Sequence, residues 1–106
     1  MRVLLDECLP RKLKRELPGQ ECRTVPEMGW AGLKNGALLA AAAGQFDVFL
    51  TSDQNLPFQQ TVPALSLAVI ALVAPSNDLD DLRPLRPRVL DALPSLRPGD
   101  LLQVGA

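Results

Sequence analysis

The sequence predicts an α/β fold, a three-layer α/β/α sandwich around a mainly parallel sheet of about five strands. Three observations predict it. Val48-Phe49-Leu50 and Leu67 to Val73 are continuous apolar runs without alternation, the pattern of short strands buried on both faces of a parallel sheet. Strand-like runs alternate with helix-favouring ones, and Pro18-Gly19, Pro75-Ser76-Asn77 and Pro98-Gly99-Asp100 punctuate them as turns. The 106 residues, 47% of them apolar, suit a single domain over 1–106 with no internal repeat.

Residues 2–6 form the first strand. Pro10 then opens a helix where its missing N–H costs nothing, with Leu9, Leu13 and Leu17 on one face and Arg11, Lys12, Lys14, Arg15 and Glu16 around the rest. This basic set is a solvated face or, beside Asp6, a guide for a phosphate backbone; the two uses are compatible. Glu21 to Val25 is a short second strand closed by Pro26. The glycine-punctuated segment from Glu27 to Gly32 carries Trp30, which packs over a core edge or serves in a lid. Asn35 is placed to N-cap a helix over Ala37 to Ala43 that Gly44 ends, its small residues suiting close approach to the sheet. After the third strand, Gln54 to Gln60 reads as a turn leading into one loose helical turn. Leu67 to Val73, the most hydrophobic strand, belongs at or near the centre. Pro84 and Pro87 interrupt Asp78 to Leu93, which predicts a short turn and then a helix from one of these prolines to Leu93. Leu101 to Val104 is a final edge strand.

Composition excludes several chemistries. The chain has no histidine, which removes His-ligated zinc, Ser-His-Asp and Cys-His nucleophiles, and imidazole acid–base catalysis. Carboxylates, amides, hydroxyls, lysine or a metal must carry any reaction. A net charge of -1 argues against coating nucleic acid through bulk charge and leaves room for a local basic patch. Cys8 and Cys22 lack metal-ligand spacing and read as reduced packing residues. Arg2, Asp6 and Glu7 break the N-terminal apolar run, unlike a secretory signal. The longest apolar stretch, Leu65 to Ala74, is about half the ~20 residues a membrane span needs, so a cytoplasmic protein without membrane association is expected.

Two strand-like runs end in acids: Arg2-Val3-Leu4-Leu5 leads into Asp6-Glu7, and Val48-Phe49-Leu50-Thr51-Ser52 into Asp53. In open α/β sheets ligands collect beyond the carboxyl ends of the strands. The right-handed crossover rule puts Asp6, Asn35 and Asp53 on that rim, and Asp47, at a strand start, on the opposite one. Singly, each acid has a plain use: Asp6 and Asp53 as caps, Glu7 as counter-charge to the basic helix. As a pair, the Asp6 and Asp53 carboxylates repel unless a cation, a shared proton or an arginine offsets them. Mg²⁺ or Mn²⁺ suits such an oxygen-only site.

The stretches Val3-Leu4-Leu5-Asp6-Glu7-Cys8-Leu9-Pro10, Gly29-Trp30-Ala31-Gly32-Leu33-Lys34-Asn35-Gly36 and Phe46 to Leu56 resemble the compact PIN-like proteins of bacteria, relatives of toxin ribonucleases. The resemblance covers most of residues 1–75. It implies a PIN-like fold, Mg- or Mn-dependent cleavage of RNA, and a toxin–antitoxin pair with a cognate antitoxin protein as partner. It carries Asp6 and Asp53 over as the metal-binding catalytic acids. Where the family has a further acid, at the start of the second helix, this chain has Asn35 and then Ala37. An amide ligates a hard cation without neutralising it, so metal affinity should fall. Glu7 supplies the missing charge only if the chain already turns there, because on an extended strand it faces away from Asp6. Thr51 or Ser52 orients a carboxylate or a water, or satisfies backbone groups. Arg11, Lys12 and Lys34 are the candidate phosphate contacts. Aromatic residues make up 4% of the chain, too few to form a base-stacking platform, so sequence-specific reading of single strands is not expected.

Two rivals compete with the nuclease. A receiver-type phosphoacceptor domain shares the acids and Mg²⁺ but needs a lysine, usually after the last strand, and none follows Lys34. A PIN-like fold that has lost catalysis would act as a protein-binding module for an antitoxin or for its own copy. The leucines and prolines at 79–98 would then build a homodimer surface unless they pack in the core.

Overall fold

The computed structural model describes residues 1–54 and 66–105. Strands β1 (Arg2–Leu5), β2 (Glu21–Thr24), β3 (Val48–Thr51), β4 (Ala68–Val73) and β5 (Leu101–Gly105) form one sheet in the order β2-β1-β3-β4-β5. Every pairing is parallel, so "mainly parallel" becomes all-parallel. The sequence explains why: β3 is buried along its whole length and β4 along its first five residues, so neither has a face to give to solvent. Strand order reverses between β1 and β3, the position where ligand crevices open in sheets of this order.

Alternation of side chains along the strands divides the core in two. On one face Val3, Leu5, Val48, Leu50, Ile70 and Leu72 pack under Leu9, Leu13 and Leu17 and under Leu82, Leu85, Val89 and Leu93. On the other, Leu4, Phe49 and Val69 pack against Val25, Leu38, Leu39, Ala42 and Phe46. The layers are therefore α/β/α, as predicted. Trp30 is a packing residue of the second face, edge-on to Phe46 with ring centroids 6.1 Å apart.

Three local expectations change. The first helix is a 3-10 helix, Arg11–Glu16, started by a Leu13 N–H to Pro10 C=O bond. Pinned between Pro10 and Pro18-Gly19, it is too short to gain much from α-propagation, yet Leu9, Leu13 and Leu17 are all buried. Glu16 accepts from Arg83 and Arg86 at 2.7 and 2.8 Å and ties it to the C-terminal helices. Helix α1 (Asn35–Ala43) has Lys34, not Asn35, at its cap, without a side-chain capping bond; Asn35 is its first residue. Residues 79–95 form α2 (Leu79–Leu82), a 3-10 turn Arg83–Leu85, α3 (Arg86–Ala92) and a 3-10 turn Leu93–Ser95. Pro84, Pro87 and Pro94 each sit near the start of a segment, where an absent N–H leaves no carbonyl unpaired. Leu82, Leu85 and Leu93 are at most 2% exposed, so they are core and not a dimer surface. The expected turn beyond Gln54, at 55–60, lies outside the described residues.

The connections β1 to β2 and β4 to β5 step across the sheet in opposite directions yet lie on the same face, so their hands are opposite. About 98% of such connections are right-handed, and these two cannot both obey. Among the described residues, Leu50, Ile70 and Leu72 face this side and pack with Leu82, Leu85, Val89 and Leu93 from the segment after β4.

Candidate functional site

The carboxyl ends of β1 and β3 are joined through one carboxylate. Asp6 continues the ladder past β1 by donating its N–H to the Leu50 carbonyl at 2.9 Å. Its side chain is held at both oxygens: Thr51 Oγ1 donates to Oδ2 at 2.7 Å, and the Glu7 N–H donates to Oδ1 at 2.8 Å. With Asp6 only 8% exposed, these bonds replace the water a carboxylate would lose on burial. Thr51, itself fully buried, accepts the Asp53 N–H at 3.0 Å. A single hydroxyl therefore connects the Asp6 carboxylate to the Asp53 backbone, and Asp53 is half-buried.

Neighbouring groups hold this arrangement. Gln54 Nε2 donates to the carbonyls of Ser52 at 3.1 Å and Leu72 at 2.7 Å, while Gln103 Nε2 donates to Gln54 Oε1 at 3.2 Å. The end of β3 is thereby tied to β4 and β5. Ser52 Oγ lies 3.2 Å from Cys8 Sγ, so this hydroxyl meets a thiol rather than a carboxylate. Cys8 and Cys22 are both free thiols, as expected; burial pushes the Cys22 thiol up. Asp47 lies on the opposite rim, as expected, accepting the Arg2 N–H at 2.8 Å.

A cleft of about 600 Å³ opens beside Asp6, and the described residues lining it are Asp6, Glu7, Leu9, Arg11, Thr24, Pro26 and Glu27. The Leu9 N–H to Asp6 C=O bond, 3.0 Å, turns the chain immediately after β1. Glu7 consequently shares the cleft with Asp6 instead of facing away. The cleft lies between the ends of β1 and β2, whereas Asp53 is linked to Asp6 from the β3 side; Asp53 and Asn35 are not among the residues that line it. Asp6 therefore has two flanks, the open cleft on the β2 side and the Thr51 link to Asp53 on the β3 side.

Glu27 is the cleft residue that sequence reasoning missed. It forms a reciprocal capping box with Thr24: the Thr24 N–H donates to Oε1 at 3.0 Å, and Thr24 Oγ1 accepts the Glu27 N–H at 3.3 Å. Lys14 Nζ donates to the same Oε1 at 2.8 Å. The Lys14 ammonium first, then the Thr24 N–H, bring the Glu27 carboxyl down from 4.5 to about 2. Thr-x-x-Glu spacing before a turn was the available signal.

Arg11, Lys12, Lys14 and Arg15 line a hollow of about 180 Å³ that shares Arg11 with the cleft. Lys34 is exposed at the head of α1, in the opposite layer. Basic groups therefore flank the rim from both layers. Among the described residues no group of three or more His, Cys, Asp or Glu side chains is placed to hold a metal ion, and no helix is long and apolar enough to cross a membrane. A hard cation that keeps waters and a phosphate as ligands needs only one or two carboxylates, and each Asp6 oxygen retains a free lone pair.

Fold and site together define an all-parallel α/β domain with a hydrogen-bonded aspartate at its switch point. Comparison of the chain with protein-family models, curated proteins and solved structures gives no match.

Thr51→Val is expected to destabilise the domain by about 1–3 kcal/mol, because it leaves a buried carboxylate oxygen without its donor; Thr51→Ser should recover most of that in urea unfolding. Glu27 has a depressed pKa, so its contribution is complete above 4.5 and disappears as pH falls toward 2. Glu27→Gln should cost about 1 kcal/mol at neutral pH, with the gap to the parent closing across that acid window.

Proposed function

We propose that the protein is a PIN-like, Mg- or Mn-dependent ribonuclease that hydrolyses RNA phosphodiesters at the rim formed by Asp6 and Asp53. The observation that carries this reading is the Asp6 carboxylate at the strand-order reversal, buried, doubly hydrogen-bonded and linked through Thr51 to Asp53. An oxygen-only donor set with two carboxylates and no histidine fits a hard divalent cation and little else. Asp6 and Asp53 would hold the ion, with Asn35 as a neutral amide ligand. When bound, the ion lowers the pKa of a water and offsets charge on the phosphate oxygens.

The chain's own groups have separate tasks. Thr51 keeps Asp6 in one orientation and fixes the backbone at Asp53. Glu7, exposed at the cleft beside Asp6, accepts the proton released as water attacks phosphorus; the new P–O bond forms as the bond to the departing ribose oxygen breaks, and that oxygen is protonated from solvent. Arg11, Lys12 and Lys34 contact phosphates on either side of the rim without reading bases. In this reading the natural setting is cytoplasmic, with a cognate antitoxin protein as the partner.

The lack of a three-acid cluster among the described residues, with Asn35 in place of an acid, favours one alternative: a PIN-like fold without catalysis that serves as a protein-binding module. Cleavage of a mixed RNA substrate with Mg²⁺, Mn²⁺ or chelator, on the parent and Asp6→Asn, separates the two. The nuclease predicts metal-dependent cleavage that Asp6→Asn lowers by more than the roughly 10–100-fold typical of losing an outer-shell partner. Absence of cleavage in both folded proteins leaves the binding module.

A further inference from the structure

We infer that β5 pairs with β5 of a second copy, antiparallel about a two-fold axis at Gln103, joining two sheets into one. The two edges of the sheet differ in kind. β2 displays Glu21 and Arg23, and charge on an edge discourages pairing. Residues Leu101–Gly105 contain neither charge nor proline.

Backbone direction selects the register. The Val69 N–H donates to the Asp100 carbonyl at 2.9 Å, and Val69 is in register with Leu101. In a parallel ladder this turns the N–H and C=O of Leu102 and Val104 toward β4 and leaves those of Leu101, Gln103 and Gly105 facing outward. A two-fold axis at Gln103 sets Gln103 against itself and Leu101 against Gly105, so every outward group meets a complementary one. The Gly105 carbonyl, which already accepts from Arg88 Nη1, has a second lone pair for this bond.

Side chains agree with the same register. Leu101 and Val73 are exposed at 46% and 42%, two of the four large exposed apolar residues among those described. Both lie on one face of the sheet, and Val73 is in register with Gly105, whose missing side chain leaves it open. The pairing lays Leu101 of each copy over Gly105 and against Val73 of the other. One position further on, Asp100 comes to the end where Arg88 of the second copy binds its strand terminus, setting opposite charges together. The occupant that fits this edge is a second copy of the chain.

Size-exclusion chromatography with light scattering on the full chain should give a concentration-dependent dimer, and Leu101→Lys should raise its dissociation constant at least about tenfold, the cost of placing a charge over an apolar contact. Residues opposed in a hydrogen-bonded antiparallel pair are roughly 5.5 Å apart at Cα, inside disulfide range. In a Cys8→Ser, Cys22→Ser background, Gln103→Cys should therefore yield a covalent dimer on mild oxidation, and Arg23→Cys on the other edge should not. Unchanged thermal melting confirms that each variant folds. A monomer at every concentration, or a dimer that Gln103→Cys fails to cross-link, overturns the inference.

Discussion

The hydrogen bond from Thr51 to Asp6, 2.7 Å long and shielded from solvent, is the contact on which the rim depends. A carboxylate this enclosed needs donors, and in a low-dielectric setting a charge-assisted bond to a fixed hydroxyl is among the stronger ones available. It can form only because β1 and β3 are neighbours in register, with Leu5 beside Leu50, so that the residue after one strand meets the last residue of the other. The same hydroxyl then accepts from Asp53, and the amide of Gln54 secures the following carbonyl to β4. Sheet registration, made of apolar contacts, is thereby converted into the placement of polar groups.

Burial on both faces governs the rest of the fold. Leu4, Phe49 and Val69 need α1 above them, while Leu5, Leu50 and Ile70 need cover below. A 3-10 segment confined between two prolines supplies only part of that lower layer. The proline-segmented helices after β4 pack over the same face, and Glu16 joins the two pieces through Arg83 and Arg86. The Arg83 guanidinium beside Glu16 holds that carboxyl below its usual range.

Much of this was legible beforehand, for physical reasons. Runs such as Val48-Phe49-Leu50, bounded by Asp47 and Asp53, identify two-sided strands because polar side chains have no place on them. Acids just past such runs must lie on the carboxyl rim. What escaped depends on strand order, which local pattern does not encode. With β1 between β2 and β3, Asp6 has a partner on one flank and an open cleft on the other, a distinction invisible in Leu5-Asp6-Glu7. The turn that brings Glu7 to the cleft rests on a single backbone bond from Leu9, and the displacement of Asn35 from cap to first helical residue is a one-residue boundary shift. Thr24-x-x-Glu27 was visible as spacing; only the tertiary approach of Lys14 makes Glu27 a strongly depressed acid.

The proposed function requires a divalent ion to be drawn to the Asp6 and Asp53 rim in preference to the other acids. Titration of the isotope-labelled protein with trace Mn²⁺, read as paramagnetic broadening of backbone amides, tests it directly. Broadening is expected to centre on Asp6, Glu7 and Thr51 to Asp53, and Asp6→Asn should abolish it in the folded domain. Broadening centred instead on Asp78, Asp80 and Asp81, or none that localises, would contradict it.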